Sequence, residues 1–303
     1  MSSSATDAHG YAYNQSNIIE TLRLYNKTNY DIRQLQQKIL GNLEVFDRVC
    51  REHGLHYYLV AGTMLGAVRH KGFIPWDDDI DVGMPRPDYE LFVAHADEWL
   101  PAPYEFICTE RDSAYPYPFG KVTDSSTTVW ERPDFKYLEG VYIDVFPIDG
   151  APADKDGQRR HFRRYKPWRH LLFMRGRDPF KHGHGPRSWW PWLIHKVFSL
   201  RDLQKRVRKF MTKYDYEKSD WVIDYDFGML GFFRKEVFGT PTPCTFEGRQ
   251  FFGVEHPDEY LSGVYGDYMQ LPPEEKRIQH HFYRLDLNRP WRENKEVRDE
   301  MER

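Results

Sequence analysis

Four aspartates crowd the run Pro75-Trp76-Asp77-Asp78-Asp79-Ile80-Asp81-Val82, and the spacing of two of them points to chemistry. An extended chain sends alternate side chains to opposite faces, so Asp79 and Asp81 share one face while Ile80 and Val82 pack on the other. Two neighbouring carboxylates repel unless one is protonated or a cation lies between them. Hard oxygen ligands of this kind suit Mg²⁺ or Mn²⁺. A third acid, Asp144, sits in Tyr142-Ile143-Asp144-Val145-Phe146. Flanked by apolar residues in a strand, it either faces water on an exposed sheet or points into a shared site. If its strand lies beside Ile80, three acids converge, as is needed to hold one or two metal ions against a phosphoryl group. Most isolated D-x-D triplets are acidic surface turns. Here the strand-like apolar neighbours weigh against that reading.

Other residues suit the anion such a site would handle. Ala61-Gly62-Thr63 follows an apolar stretch and precedes a helical one. Amide groups at a helix start attract anions, glycine lets a phosphate reach the backbone, and the Thr63 hydroxyl adds a donor. The ordinary alternative is a plain helix cap. Arg69, His70 and Lys71 either complement a helix C-terminus or return Arg69 or Lys71 toward phosphate oxygens. His280-His281 is a candidate for phosphate contact or acid–base work near neutral pH, although adjacent histidines are more often structural. Glu247 is divided between binding an acceptor hydroxyl and bracing an arginine. His182 and His184 form a lone H-x-H, a weak metal signal. Trp189-Trp190-Pro191-Trp192 could hold a quaternary ammonium or lie at a membrane interface. Core packing is the ordinary outcome.

The elements that must position these groups follow from periodicity. Ile32, Leu35, Ile39, Leu43, Phe46, Val49 and Cys50 predict a helix from Asn29 to His53, stopped by Gly54. Leu55 to Val60 reads as a buried strand, Gly62-Thr63 as a turn and Met64 to Arg69 as a short helix. Ile80 to Gly83 reads as a second strand, punctuated by Pro85 and Pro87, with a helix from Tyr89 to Leu100. Phe119 to Thr123 and Thr127 to Glu131 are expected to pair around an Asp-Ser-Ser turn, and Val141 to Phe146 is a strong strand. Pieces of helix broken near 182–186 fill 155–215, and strands and loops resume from Trp221. The order predicts an α+β fold: a loose arm over 1–26, a catalytic domain over 27–290 with a basic helical insertion at 155–215, and a charged tail over 291–303.

Composition bounds the partners. Hydrophobic residues make up 40% and aromatics 16%, enough to build a sizeable core. Cys50, Cys108 and Cys244 are too scattered for a disulfide framework or a cysteine-rich zinc site, so a reducing, cytoplasmic setting is expected. The opening residues carry no signal-peptide pattern. No apolar run reaches the roughly 18 residues of a membrane span. The net charge of −3 conceals an asymmetry: 155–215 holds 18 Lys/Arg against 4 Asp/Glu. Such a segment is a solvated helical face, a peripheral contact with anionic lipid on the inner face of the cell membrane, or a nucleic-acid site. No groove-reading motif accompanies it, so nucleic acid is not expected as a partner.

The run from Tyr57 to Val82, with Ala61-Gly62-Thr63-Met64-Leu65-Gly66 and Trp76-Asp77-Asp78-Asp79-Ile80-Asp81 at its heart, resembles the LicD family, which includes the fukutin-related proteins. Further blocks are Gly140 to Asp149, Phe246-Glu247-Gly248, Tyr265-Gly266-Asp267-Tyr268, Leu271-Pro272-Pro273 and His280-His281. The resemblance implies a nucleotidyltransferase-like mixed sheet flanked by helices, a CDP-linked alcohol donor and a glycan acceptor, either a cell-surface glycan or its lipid-linked precursor. Phosphocholine is the usual cargo of the bacterial branch, with CDP-choline as donor, and ribitol phosphate that of the animal branch. It implies Asp79 and Asp81 as metal ligands with Asp77 close by, and Asp144 as a further ligand or as the base for the acceptor hydroxyl. It also implies Lys121 and Thr127 as donor contacts. The cysteine zinc element and membrane anchor of the animal members are not found, which favours a soluble bacterial-type enzyme. Two rivals stand beside this reading: a nucleotidyltransferase joining NMP from an NTP to a small acceptor, and a non-catalytic glycan- or membrane-binding relative.

Overall fold

A computed structural model describes residues 30–180, 183–274, 277 and 282–302, together with the backbone of two paired dipeptides, Ala5–Thr6 and Ala12–Tyr13. The expected arm over 1–26 therefore lies outside the described residues apart from those dipeptides, as do His182, His280 and His281.

The apolar periodicity produces helix α1, Ile32–His53, one residue beyond its cap Asp31, whose carboxylate accepts the Arg33 N–H at 2.8 Å. Gly54 ends it at φ 66°, a left-handed conformation that glycine adopts without strain. The buried face of α1 packs on the sheet, where the Asn42 side-chain amide donates to the Val141 carbonyl at 2.7 Å.

The chain then enters the sheet by β1 (Tyr58–Leu59), α2 (Ala61–Arg69), β2 (Asp81–Pro85), α3 (Arg86–Trp99), β3 (Tyr104–Ile107), β4 (Gly120–Trp130) and β5 (Glu139–Ala151). Four helical pieces follow: α4 (Lys155–Gly176), a 3₁₀ turn (Pro186–Ser188), α5 (Trp189–Val197) and α6 (Leu200–Met211). The chain returns through β6 (Trp221–Ile223), a 3₁₀ segment (Tyr225–Gly231), β7 (Phe232–Arg234), α7 (Lys235–Phe238), β8 (Thr242–Phe246), β9 (Arg249–Gly253), α8 (Pro257–Tyr265), β10 (Arg284–Asp286) and α9 (Lys295–Glu302). The sheet runs β8-β9-β1-β2-β5-β4-β10, with β3 on β4 and β6-β7 added to the far end of β5. The β2–β5 and β9–β1 pairs are parallel and the others antiparallel, so the sheet is mixed and the fold is α+β, as expected.

Three expectations change. The Asp-Ser-Ser run does not reverse the chain: β4 is one strand, and its register on β5 shifts between Asp124 and Val129. The local turn chemistry is present, with the Ser126 N–H donating to Asp124 Oδ1 at 2.9 Å, but it builds a bulge within the strand. Gly62-Thr63 is the first turn of α2 and no separate loop. The charged tail is docked over its described residues 291–302: Val297 is buried against Trp130 and Leu138, and Arg292 grips Glu105 through two bonds of 2.8 Å.

The basic segment carries its own core, built on Tyr165, Leu172, Leu203, Val207 and Met211 with Ile223 and Tyr225. It therefore packs against the return strands β6 and β7.

Candidate active site

Parallel pairing of β2 with β5 sets Asp81 opposite Asp144. Antiparallel pairing of β4 with β5 sets Lys121 on the other side of Asp144. Residues paired across strands share a sheet face, so acid, acid and base form a row over three adjacent strands. Burial, and then Asp79, Asp144, Asp226 and Asp77, push the Asp81 carboxyl well above the ordinary carboxylate value. Asp77, Asp79, Asp81 and Asp144 are therefore brought together. Asp78 is not: it is buried on another side, where its carboxylate accepts the Tyr30 hydroxyl at 2.6 Å.

Helix α2 closes the upper edge. The Asp81 N–H donates to Thr63 Oγ1 at 2.8 Å, and the Asp81 carbonyl accepts the Val60 N–H at 3.1 Å. Thr63 is thus tied to the acid's backbone. The Ala61 N–H donates to the Tyr260 hydroxyl at 3.0 Å. Those of Gly62 and Thr63 belong to the first turn, which lacks intrahelical acceptors. A side chain at Gly62 would meet Asp77 Oδ2 at 2.9 Å, so the positive end of α2 lies directly against the acid cluster. Replacing Thr63 by valine keeps its shape and removes that acceptor. We expect Thr63→Val to lower stability by about 1–2 kcal/mol in urea unfolding. An unchanged midpoint would mean that the bond does not hold the loop.

Lys121 and Thr127, implied above as donor contacts, are both buried and bonded within the fold. Lys121 is 1% exposed, with Nζ 2.7 Å from Glu139, 3.3 Å from Glu131 and 3.4 Å above the Tyr142 ring. Burial opposes its charge, yet Glu139, Glu131 and Asp144 outweigh burial and hold its pKa above the ordinary lysine value. Thr127 is fully buried; its hydroxyl donates to the Asp124 carbonyl and accepts the Val141 N–H, both at 2.7 Å, closing the bulge. Glu247 resolves toward bracing. It pairs with Arg33, accepts the Phe73 N–H at 3.1 Å, and donates its own N–H to the Lys71 carbonyl at 2.9 Å. It thereby pins the loop between α2 and the acids. Lys71 in that loop is exposed, at φ 60°. Arg69 donates to the Tyr268 carbonyl at 2.8 Å and to His70 at 3.0 Å.

A scan against family descriptions matches residues 54–173 to "LicD/FKTN/FKRP, nucleotidyltransferase domain", a span that includes α2, Asp77 to Asp81 and Asp144. The lipopolysaccharide cholinephosphotransferase LicD of Haemophilus influenzae is 33% identical over 265 residues, which cover 82% of this chain and 96% of that protein. The chain belongs to the LicD family. It is a phosphotransferase. Ribitol 5-phosphate transferase FKRP of mouse and of human shares 37% identity over 57 residues, 19% of this chain and 10% of each relative.

Two residues beside these acids were given no role by the sequence: Asp226, and Tyr265, which stood only within a family block. Tyr265, at the end of α8, is 40% exposed as a residue, yet its phenol lies in the field of the same acids: local desolvation, then Asp81, Asp77, Asp79 and Asp226, push it above the ordinary value. Arg69 senses the same phenol, so Arg69 and the acids flank it. Asp226 lies in the first turn of the 3₁₀ segment, 3.5 Å from Arg169 of α4. A signal for it existed, since Asp224-Tyr225-Asp226 repeats the D-x-D spacing just after β6. Here, however, Asp224 is buried and caps the Asp226 N–H at 3.0 Å, so only one acid of the pair reaches the cluster's field.

Among the described residues, no three His, Cys, Asp or Glu side chains close around a single point as a complete metal cage would. The acids instead offer the adjacent pair Asp81 and Asp144, with Asp79 and Asp77 acting on it from nearby. That donor set is the kind Mg²⁺ takes, since it binds through one or two carboxylates, keeps waters and leaves room for substrate phosphates. His184 is exposed and lies against the Phe180 ring.

Proposed function

We propose that this enzyme transfers a phospho-alcohol group, phosphocholine first among them, from a CDP-linked donor to a hydroxyl of a cell-surface glycan or its lipid-linked precursor. The observation that carries the reading is the register that sets Asp81 beside Asp144 beneath the start of α2. Support for the cargo comes from the cholinephosphotransferase and ribitol phosphate transferase relatives.

In this reading Asp79, Asp81 and Asp144 supply oxygen ligands for Mg²⁺ or Mn²⁺, with Asp77 close by. The ion, when bound, neutralises diphosphate charge and stabilises the attacking and leaving oxygens. The Gly62 and Thr63 amides meet the remaining phosphate oxygens at the positive end of α2. Arg69 and Lys71 are assigned to shielding the phosphate charge from the loop above. An aspartate of the cluster receives the proton of the attacking hydroxyl as a phosphodiester forms and CMP leaves. Lys121 and Glu247 act as positioning residues: one balances charge beneath Asp144, the other holds the loop that leads to Asp77.

A ligand that binds the native state raises its apparent stability by about 2.7 kcal/mol at a hundredfold excess over Kd. We expect CDP-choline with Mg²⁺ to raise the melting temperature, and CDP-ribitol or CDP-glycerol to do so less. No shift with any of the three, with or without Mg²⁺, would remove the donor assignment. The matched family description names a nucleotidyltransferase domain, which keeps a second reading in view, NMP transfer from an NTP. Product analysis separates them: CMP release supports phospho-alcohol transfer, pyrophosphate release the rival.

A further inference from the structure

Helix α5 is built inside out. At 100° per residue, Trp192, Lys196, Trp189, Leu193, Val197 and Trp190 occupy one continuous arc of about 160°. All six are exposed, and the five apolar ones are 44, 67, 43, 62 and 60% exposed in that order, Lys196 omitted. The remaining arc holds Ile194, which is buried, and then the half-buried Pro191 and His195. A helix on the surface of a water-soluble protein turns its apolar stripe inward and its charges outward. Here three tryptophans, a leucine and a valine face out together, and such contiguous patches mark interaction sites. The ordinary expectation of core packing for this Trp-rich run is therefore overturned.

The charges around the patch select the partner. Arg187 is exposed in the preceding 3₁₀ turn, and Lys196 holds its ammonium 5.8 Å above the Trp192 ring. Helix α4 packs against both α5 and α6. Helix α6 buries Leu203, Val207 and Met211 and turns Arg201, Lys205, Arg206 and Lys209 to water. The whole segment 155–215 carries 18 Lys/Arg against 4 Asp/Glu. Exposed tryptophans beside lysine and arginine are the composition of an interfacial anchor, with rings at headgroup depth and cations on lipid phosphates. A second copy of this chain fits poorly, since a two-fold contact would set these positive faces against each other. Residues 1–29 offer no complement either, with Asp7 and Glu20 balanced by Arg23 and Lys27.

We propose that α5, carried by the lysine- and arginine-rich segment 155–215, docks this enzyme peripherally on an anionic bilayer. No described helix is long and apolar enough to cross a membrane, so the contact is with the surface. The inference does not depend on which donor or cargo the site takes.

The test uses full-length protein and vesicles of phosphatidylcholine alone or mixed with phosphatidylglycerol. The protein is expected to sediment with the mixed vesicles, to release from them in high salt, and to shift its tryptophan emission to the blue on binding. The variant Trp189→Ala/Trp190→Ala/Trp192→Ala should keep its circular dichroism, melting temperature and turnover of a soluble acceptor. Its partitioning should weaken at least about tenfold. Arg201→Glu/Lys205→Glu/Lys209→Glu should weaken binding without altering the emission of the free protein. Lack of binding to mixed vesicles, or equal binding by the tryptophan variant, would overturn the proposal. So would a wild-type dimer that the tryptophan variant converts to monomer by light scattering, since the patch would then belong to a second copy. Tryptophans shielded from acrylamide in vesicle-free monomer would also overturn it, by assigning the patch to the chain's own cover.

Discussion

Asp81→Asn should leave a folded protein whose transfer rate is lower by about a thousandfold or more, the scale of several kcal/mol of lost charge stabilisation. The amide keeps the shape of the side chain, and the backbone N–H still reaches Thr63 Oγ1. The same variant has a second signature, in stability. Burial and the neighbouring acids raise the Asp81 carboxyl in the folded state. The native protein therefore holds this proton more tightly than the unfolded chain, whose carboxyl titrates near about 3.9. Below that range both states are protonated and the residue contributes nothing. As pH rises through it the unfolded chain ionises first, and the native state loses stability until the raised folded value is passed. In metal-free buffer, then, Asp81→Asn should melt higher than wild type at neutral pH, and the gap should close in acid. Turnover near the wild-type rate would remove Asp81 from the chemistry. A variant that melts lower at neutral pH without metal would show that the acids do not strain the fold.

Arg86→Ala is expected to be the most damaging single change to stability away from the acids. Arg86 follows β2 directly, and its guanidinium meets the two carboxylate oxygens of fully buried Asp149 at 2.7 Å each. Burial raises Asp149 and Arg86 opposes it. The pair joins the end of β2 to the end of β5, so it helps to fix the register that sets Asp81 beside Asp144. Truncation leaves a buried carboxylate without its partner, a loss of about 3–5 kcal/mol. The double variant Arg86→Met/Asp149→Leu should recover much of that loss, because it removes both charges and keeps volume. Chemical denaturation measures both. A single-variant loss under about 1 kcal/mol would mean that water, not Arg86, compensates Asp149.

Much of the scaffold was legible because local chemistry specifies it. The repeat of Leu35, Ile39, Leu43 and Phe46, closed by Gly54, gives α1 with its left-handed stop. The alternation around Asp81 and around Asp144 gives the two strands on which the site depends. Local chemistry also misled where one signal serves two structures. An Asp-Ser-Ser turn makes a hairpin or a bulge according to what pairs with the strand beyond it, and here β5 pairs with both halves. The apolar run in α5 reads as core by composition, while the fold buries Ile194 and leaves the three tryptophans, Leu193 and Val197 exposed.

The sequence by itself determined the kinds of group present: a D-x-D next to a strand, a further acid in another strand, a glycine-led helix start and a basic helical segment. Side-chain alternation and helical periodicity are short-range rules, so they survive without knowledge of the fold. Tertiary structure alone decided which of those groups meet. The parallel register of β2 on β5 puts residues 63 positions apart side by side, and the return chain adds Asp226 and Tyr265 from 82 and 121 residues beyond Asp144. Register over such separations depends on the whole sheet and on the core beneath it, and no local pattern encodes that.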